Sequence, residues 1–136
     1  MRMTKTDFIA HQAKHGFSLP PDLNVIEHLV KPAPAKARTM NKTEAGFARI
    51  LETRQQRGEI IAFAYEGLRF KYADGLYYKP DFVVLIEDQP ITIIEVKGGH
   101  IFSRDKVRFR ACAAEWRTWF AFEMWQRKRG QWSRIH

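Results

Sequence analysis

At 136 residues, with 45% hydrophobic and 13% aromatic content, the chain has the size and apolar content of one folded domain and is too short for two full cores. No apolar run approaches the roughly 18 to 20 residues that span a bilayer, no export signal is visible at the N-terminus, and the lone Cys112 excludes an internal disulfide and a cysteine-based zinc site; the expectation is a soluble, cytoplasmic protein with no membrane partner. The net charge of +8 divides into +5 over residues 1–58, −3 over 59–103 and +6 over 104–136, an order that suits a polyanionic partner held around a centre that gathers carboxylates.

The first element in chain order is "TKTDFIAHQAKH", where Thr4 or Thr6 can cap a short helix that Gly16 stops. Its apolar face is weak. His11 and His15 have the i, i+4 spacing of a metal site but no third ligand, and read as a solvated helix face. From Leu19 to Thr39, Pro20, Pro21, Pro32 and Pro34 are interleaved with basic residues, which predicts an extended connector around a short segment near Val25 to Val30. Residues 1–38 are therefore expected to be an N-terminal arm and Pro-containing linker, 39–126 the core, and 127–136 a basic tail.

The core opens with "MNKTEAGFARILETRQQRG". Asn41 followed three residues later by Glu44 is a capping-box pattern, Phe47, Ile50 and Leu51 supply an apolar stripe, and Gly58 ends the helix. "EIIAFAYEGLRFKYADGLYYK" alternates like a strand, bent near Gly67 and turned at "ADG". "PDFVVLI", the acidic turn "EDQP" and "ITIIEVK" then predict a hairpin. Ser103 is expected to cap a helix over "SRDKVRFRACAAEW", with Asp105 favoured in its first turn by the dipole and Cys112 packed inside. "RTWFAFEMWQ" reads as a last strand before the tail. The fold class is α/β, with a mixed central sheet flanked by helices.

The hairpin carries charges that a buried strand does not need. Side chains alternate along a strand, so Ile91, Ile93, Glu95 and Lys97 share one face, as do Asp81, Val83 and Leu85 on the strand before. An odd loop, pairing Leu85 with Ile91, sets Asp81 opposite Glu95; an even loop sends them to opposite faces. Facing carboxylates repel unless a proton or cation sits between them. Mg²⁺, or Mn²⁺ in its place, is the expected cation, because the site offers carboxylates without a histidine cluster. Such an ion polarises a phosphodiester and acidifies water. Lys97 beside it can orient that water or stabilise charge on the phosphate. The competing reading is an exposed salt-bridge cluster at a hairpin edge.

These residues carry a resemblance. Pro80-Asp81, followed after an apolar hairpin by Glu95-Val96-Lys97, resembles the signature of the PD-(D/E)XK nuclease superfamily, and the element order resembles its restriction-endonuclease-like αβββαβ core over roughly residues 40–126. The resemblance implies that Asp81 and Glu95, with the Val96 carbonyl, bind the metal and that Lys97 assists the nucleophile. It also implies a helical glutamate in the same site, for which Glu44 is the match. "PDF" and "EVKGG" followed by a basic helix further resemble small phage-encoded members. The implied activity is Mg²⁺-dependent hydrolysis of DNA, by an endonuclease guided by structure in phage-type DNA processing or recombination. A homodimer would supply two sites for two strands. A non-catalytic nucleic-acid-binding protein of the same fold is the alternative, and nothing in the sequence reads the 2′-hydroxyl that separates RNA from DNA.

Beyond that signature, Lys79, His100, Arg104 and Lys106 are the candidates for nucleic-acid contact, the last two because they start a helix near the site. Gly98 and Gly99 are expected to end the strand and turn the chain. Trp116, Trp119 and Trp125 read as core. Trp132 lies in "RKRGQWSR", where interleaved aromatic and basic residues suit either nucleic-acid contact or a loose charged tail.

Overall fold

The computed structural model describes residues 39–136, the short strand Val30–Pro32, and the helical positions Ala10 and Lys14. The expected helix over 4–15 and the histidine pair within it otherwise lie outside the described residues. In chain order the elements are β1 (Val30–Pro32), α1 (Lys42–Gln56), β2 (Ala62–Tyr65), β3 (Leu68–Ala73), β4 (Leu76–Tyr78), β5 (Phe82–Leu85) and β6 (Thr92–Gly98), followed by α2 (Ser103–Trp116), β7 (Ala121–Lys128) and β8 (Gln131–Arg134). Among the described residues no helix is long and apolar enough to cross a membrane.

Helix α1 starts where the sequence signals it. The Asn41 side chain accepts from the Glu44 N–H at 2.8 Å, and the Asn41 N–H donates to Glu44 Oε2 at 2.9 Å, so both halves of the capping box form. Gly58, at φ +74, takes the left-handed conformation that ends the helix. The buried face is Glu44, Phe47, Ala48 and Leu51. Ile50, expected on that stripe, lies a third of a turn off it and is exposed.

Five strands form a mixed sheet in the order β2-β5-β6-β7-β8, all neighbours antiparallel except β6 and β7, which run parallel through the α2 crossover. On one face α1 sets Phe47, Ala48 and Leu51 against Phe82, Val84, Ile94 and Val96. On the other, Phe109, Cys112 and Trp116 of α2 pack on Val83, Ile93 and Met124. That second face is shared with a feature the sequence reading lacked, a separate antiparallel sheet in the order β1-β3-β4. Its Leu68, Phe70 and Tyr78 join the same core, and the Trp116 indole N–H donates to the Lys71 carbonyl at 2.8 Å, tying α2 to β3. Cys112 is buried there, its thiol pushed up to about 12 chiefly by burial, which suits packing and not reactivity.

Three expectations are corrected by this arrangement. Residues 127–136 are not a loose tail: β8 folds back on β7 through the two-residue loop Arg129-Gly130, both at positive φ as a primed hairpin turn requires. Trp132 on β8 then packs edge-on against Phe47 with ring centroids 5.1 Å apart, so α1 fixes the hairpin in place. Nor is the 1–38 segment wholly an arm, because Val30–Pro32 pairs with β3. Finally, Ser103 is the first helical residue of α2 and Phe102 occupies the cap position without a side-chain cap bond.

Gly98 is needed for closeness and Gly99 for conformation. Gly99 has φ +65, whereas a Cβ at Gly98 would lie 2.8 Å from Thr43 Oγ1 and 3.6 Å from Thr43 Cγ2. The end of β6 therefore abuts the start of α1. Gly98→Ala is expected to cost about 1–2 kcal/mol by overpacking, and Thr43→Ala in the same chain should recover most of it. A double-mutant cycle by urea denaturation checks this; additive losses would refute the contact.

Candidate active site

The β5–β6 register pairs Phe82 with Ile94, Val83 with Ile93 and Val84 with Thr92. This is the odd-loop register, and one step further along it Asp81 falls opposite Glu95. Both carboxyls are buried, at 5% and 6% exposure, on the face that carries Val83, Ile93 and α2. The exposed salt-bridge reading of these residues is excluded by that burial.

Each carboxyl is held by a specific donor. Asp81 Oδ2 accepts the Val96 N–H at 2.8 Å, which ties β6 to the residue just before β5. Glu95 Oε2 accepts the Tyr78 hydroxyl from β4, and Glu95 Oε1 lies 3.3 Å from Lys97 Nζ. Lys97 Nζ is also 3.6 Å from Asp105 Oδ2, Asp105 Oδ1 is 3.3 Å from Arg108 Nη2, and the Arg108 guanidinium stands 5.4 Å over the Tyr78 ring. Tyr78, Glu95, Lys97, Asp105 and Arg108 thus close a ring of contacts across β4, β6 and α2.

The protonation of the pair follows from crowding. Burial, then the Glu95 charge, push Asp81 up to about 9; the Glu44 charge and a hydrogen bond to Glu95 act in the same direction, and the Val96 N–H opposes them. Near neutral pH Asp81 therefore keeps its proton. Tyr78 is raised well above its ordinary value by burial and by the Glu95 charge, so its hydroxyl remains a donor.

Glu44 is buried on α1, where its Oε2 accepts from the Asn41 N–H and from the Tyr65 hydroxyl at 2.8 Å. It is near enough to raise Asp81, and its Oε2 is engaged both by the helix start and by Tyr65. Among the described residues no three His, Cys, Asp or Glu side chains gather into a ready-made metal cage. Two buried carboxylates that must retain a proton to coexist do fit a hard divalent cation, which can be held by one or two carboxylates with solvent and substrate oxygens completing its shell.

The expected nucleic-acid contacts are scattered. Lys79 Nζ is 3.0 Å from the buried Glu66 Oε2, so its charge is already matched. Arg104 is exposed with its guanidinium 5.6 Å over the Phe102 ring. His100 and Lys106 come together on one groove beside Lys97, described below. Tyr78, Asp105, Glu66 and Tyr65 are site neighbours that the sequence reading missed. Only Asp105 left a signal, its place in the first turn of α2, and that signal reads equally well as a dipole partner. Comparisons with known protein families, curated proteins and solved structures return no match for this chain.

Because Asp81 is held near 9 when folded against 3.8 as its ordinary value, folding takes up a proton between those limits. The cost is absent below about pH 4, grows as pH rises, and levels off above about 9. In EDTA the wild type should therefore lose stability from pH 5 to pH 9. Asp81→Asn keeps an acceptor for the Val96 N–H and gains a donor for Glu95. It should flatten that slope and add on the order of 2 kcal/mol at neutral pH. Urea unfolding at pH 5, 7 and 9 measures both, and a destabilised variant with the wild-type slope would contradict the assignment.

Proposed function

We propose that this chain is a divalent-cation-dependent nuclease of the PD-(D/E)XK type, hydrolysing DNA phosphodiesters at the Asp81–Glu95–Lys97 site. The observation that carries the reading is the pair of buried carboxylates set opposite each other by the β5–β6 register, with the Lys97 ammonium on one of them. A salt-bridge network built for stability alone has no use for a second buried acid facing Glu95, whose charge drives Asp81 to hold a proton. The restriction-endonuclease-like assignment of the fold is supported by the α1, β-hairpin, α2, β7 order and by the parallel β6–β7 pair.

Asp81 and Glu95 would hold the cation, with the Val96 carbonyl as a third oxygen, as the sequence resemblance implies; the Val96 peptide is anchored at Asp81 by its own N–H. Mg²⁺, or Mn²⁺ in its place, supplies Lewis-acid polarisation of the phosphodiester and lowers the pKa of water when bound. Lys97 orients the attacking water and stabilises the charge that develops on the phosphate oxygens. Its ammonium is held from both sides by Glu95 and Asp105, so it needs little reorganisation when substrate arrives. Tyr78 steadies Glu95 from the buried side. Glu44 would contribute charge at the margin of the site. In hydrolysis the water oxygen forms the new O–P bond as the ester P–O bond breaks; water gives up a proton to solvent, and the leaving oxygen takes one from solvent to leave as an alcohol.

The test joins activity to a binding readout. Wild type should cleave labelled DNA in Mg²⁺ or Mn²⁺ and not in EDTA, and its melting temperature should rise with either ion. Asp81→Asn should lose both responses. Lys97→Ala should keep the thermal shift and lose about 10²–10³-fold in cleavage. DNA binding without cleavage under every condition, in protein shown to be folded, would instead make the chain a non-catalytic binder.

A further inference from the structure

A groove of about 320 Å³ adjoins the site on its β7 side. The parallel register sets Gln126 beside Lys97, and the Gln126 amide donates to the Gly99 carbonyl, so the groove begins where the β6 site ends. Its apolar floor is formed by Ile101 and Ile135, lying over the buried Phe109 and Met124. Its rim is cationic, with Lys106 and Arg110 from α2 and Lys128 from β7, all exposed. Two imidazoles complete it, His100 against Phe102 at 5.0 Å between ring centroids and His136 edge-on to Phe109 at 4.9 Å.

An apolar floor inside a cationic rim is a poor match for duplex backbone. B-form DNA presents phosphates outward and keeps its bases stacked inside, so a duplex laid on this surface would touch the rim and leave the floor empty. An unpaired nucleotide offers both parts, a flat base for the floor and rings, and a phosphate for the cations. We infer that this groove holds one unpaired nucleotide next to the bond being cut, making the chain selective for substrates with a single-stranded segment, such as a flap, over plain duplex. The placement beside a scissile bond rests on the nuclease reading, whereas the binding preference holds without turnover.

The experiment measures fluorescence anisotropy of full-length Asp81→Asn protein in EDTA with three probes: an oligo-dT, a blunt duplex, and the same duplex carrying a dT flap. The oligo-dT and the flap are expected to bind about tenfold more tightly than the blunt duplex, as one or two stacked bases would provide. Lys106→Ala with Arg110→Ala should remove most of that difference. Ile135→Ser removes apolar surface at the exposed edge of the floor without entering the core or changing charge, and should weaken the flap probe while leaving blunt duplex within about twofold of the parent. Equal affinity for all three probes, or variants that weaken duplex and flap alike, would overturn the inference and reduce the groove to general electrostatic attraction. Failure of cleavage in the separate activity assay would count against the nuclease reading alone.

Discussion

Two carboxyls on adjacent strands cannot both ionise in a buried place without help, and the Asp81–Glu95 pair imposes that constraint on everything around it. The β5–β6 register brings them together, and because both faces of the hairpin are covered, that register also decides which apolar set meets α1 and which meets α2. The same alternation that builds the core therefore builds the site. In the absence of a cation the conflict is met by a retained proton, which is why Asp81 lies so far from its ordinary value.

The surrounding layers can be understood as what such a conflict needs. Helix α1 abuts the end of β6 through Thr43 and Gly98, and brings Glu44 and its Tyr65 partner to the edge of the pair. Helix α2 and strand β4 face it from the other side, supplying Asp105, Arg108 and Tyr78. The second sheet, which first looks like an embellishment, delivers the hydroxyl that holds Glu95 and covers the face from which water would otherwise screen the two acids. Screening would lower the repulsion but also weaken any field exerted on a substrate, so a dry back wall serves an electrostatic site.

The hairpin and both helices were legible in the sequence, because each rests on local chemistry or period-2 alternation: Asn41 with Glu44, Asp105 in a first turn, an apolar run on each side of "EDQP"; the pairing of Asp81 with Glu95 hung on the parity of that loop, which alternation leaves open and the register decides. What was not legible depends on distant partners. Nothing in "LYYK" says that Tyr78 will reach Glu95, since that contact requires β4 to leave the main sheet and pair with β3. The β7–β8 hairpin was misread for a different reason. Charge in "RKRGQWSR" outweighed a loop signal already present, a glycine at the second loop position with strand residues on either side, and Trp132 was weighed as a nucleic-acid contact when its place is against Phe47. Lys79 shows the same limit for side chains, because a lysine two residues from Asp81 reads as a phosphate contact until the buried Glu66 is seen beside it.

The ring from Tyr78 through Glu95, Lys97 and Asp105 to Arg108 also explains why the site and the groove belong together. Asp105 faces inward to hold Lys97 and Arg108, while Lys106, the next residue of α2, faces the groove. Successive positions on a helix point about 100° apart, so a single turn can serve a buried centre with one residue and a surface track with the next. On β6 and β7 the same division arises from the strand ends, where Lys97 remains partly covered and Gly99 opens beside Gln126. The charge that fixes Lys97 and the charges that rim the groove are thus carried by one turn of α2. A displacement of that helix would disturb both, and the Trp116 tie to β3 together with the Phe109 and Cys112 packing beneath it is what resists such a displacement.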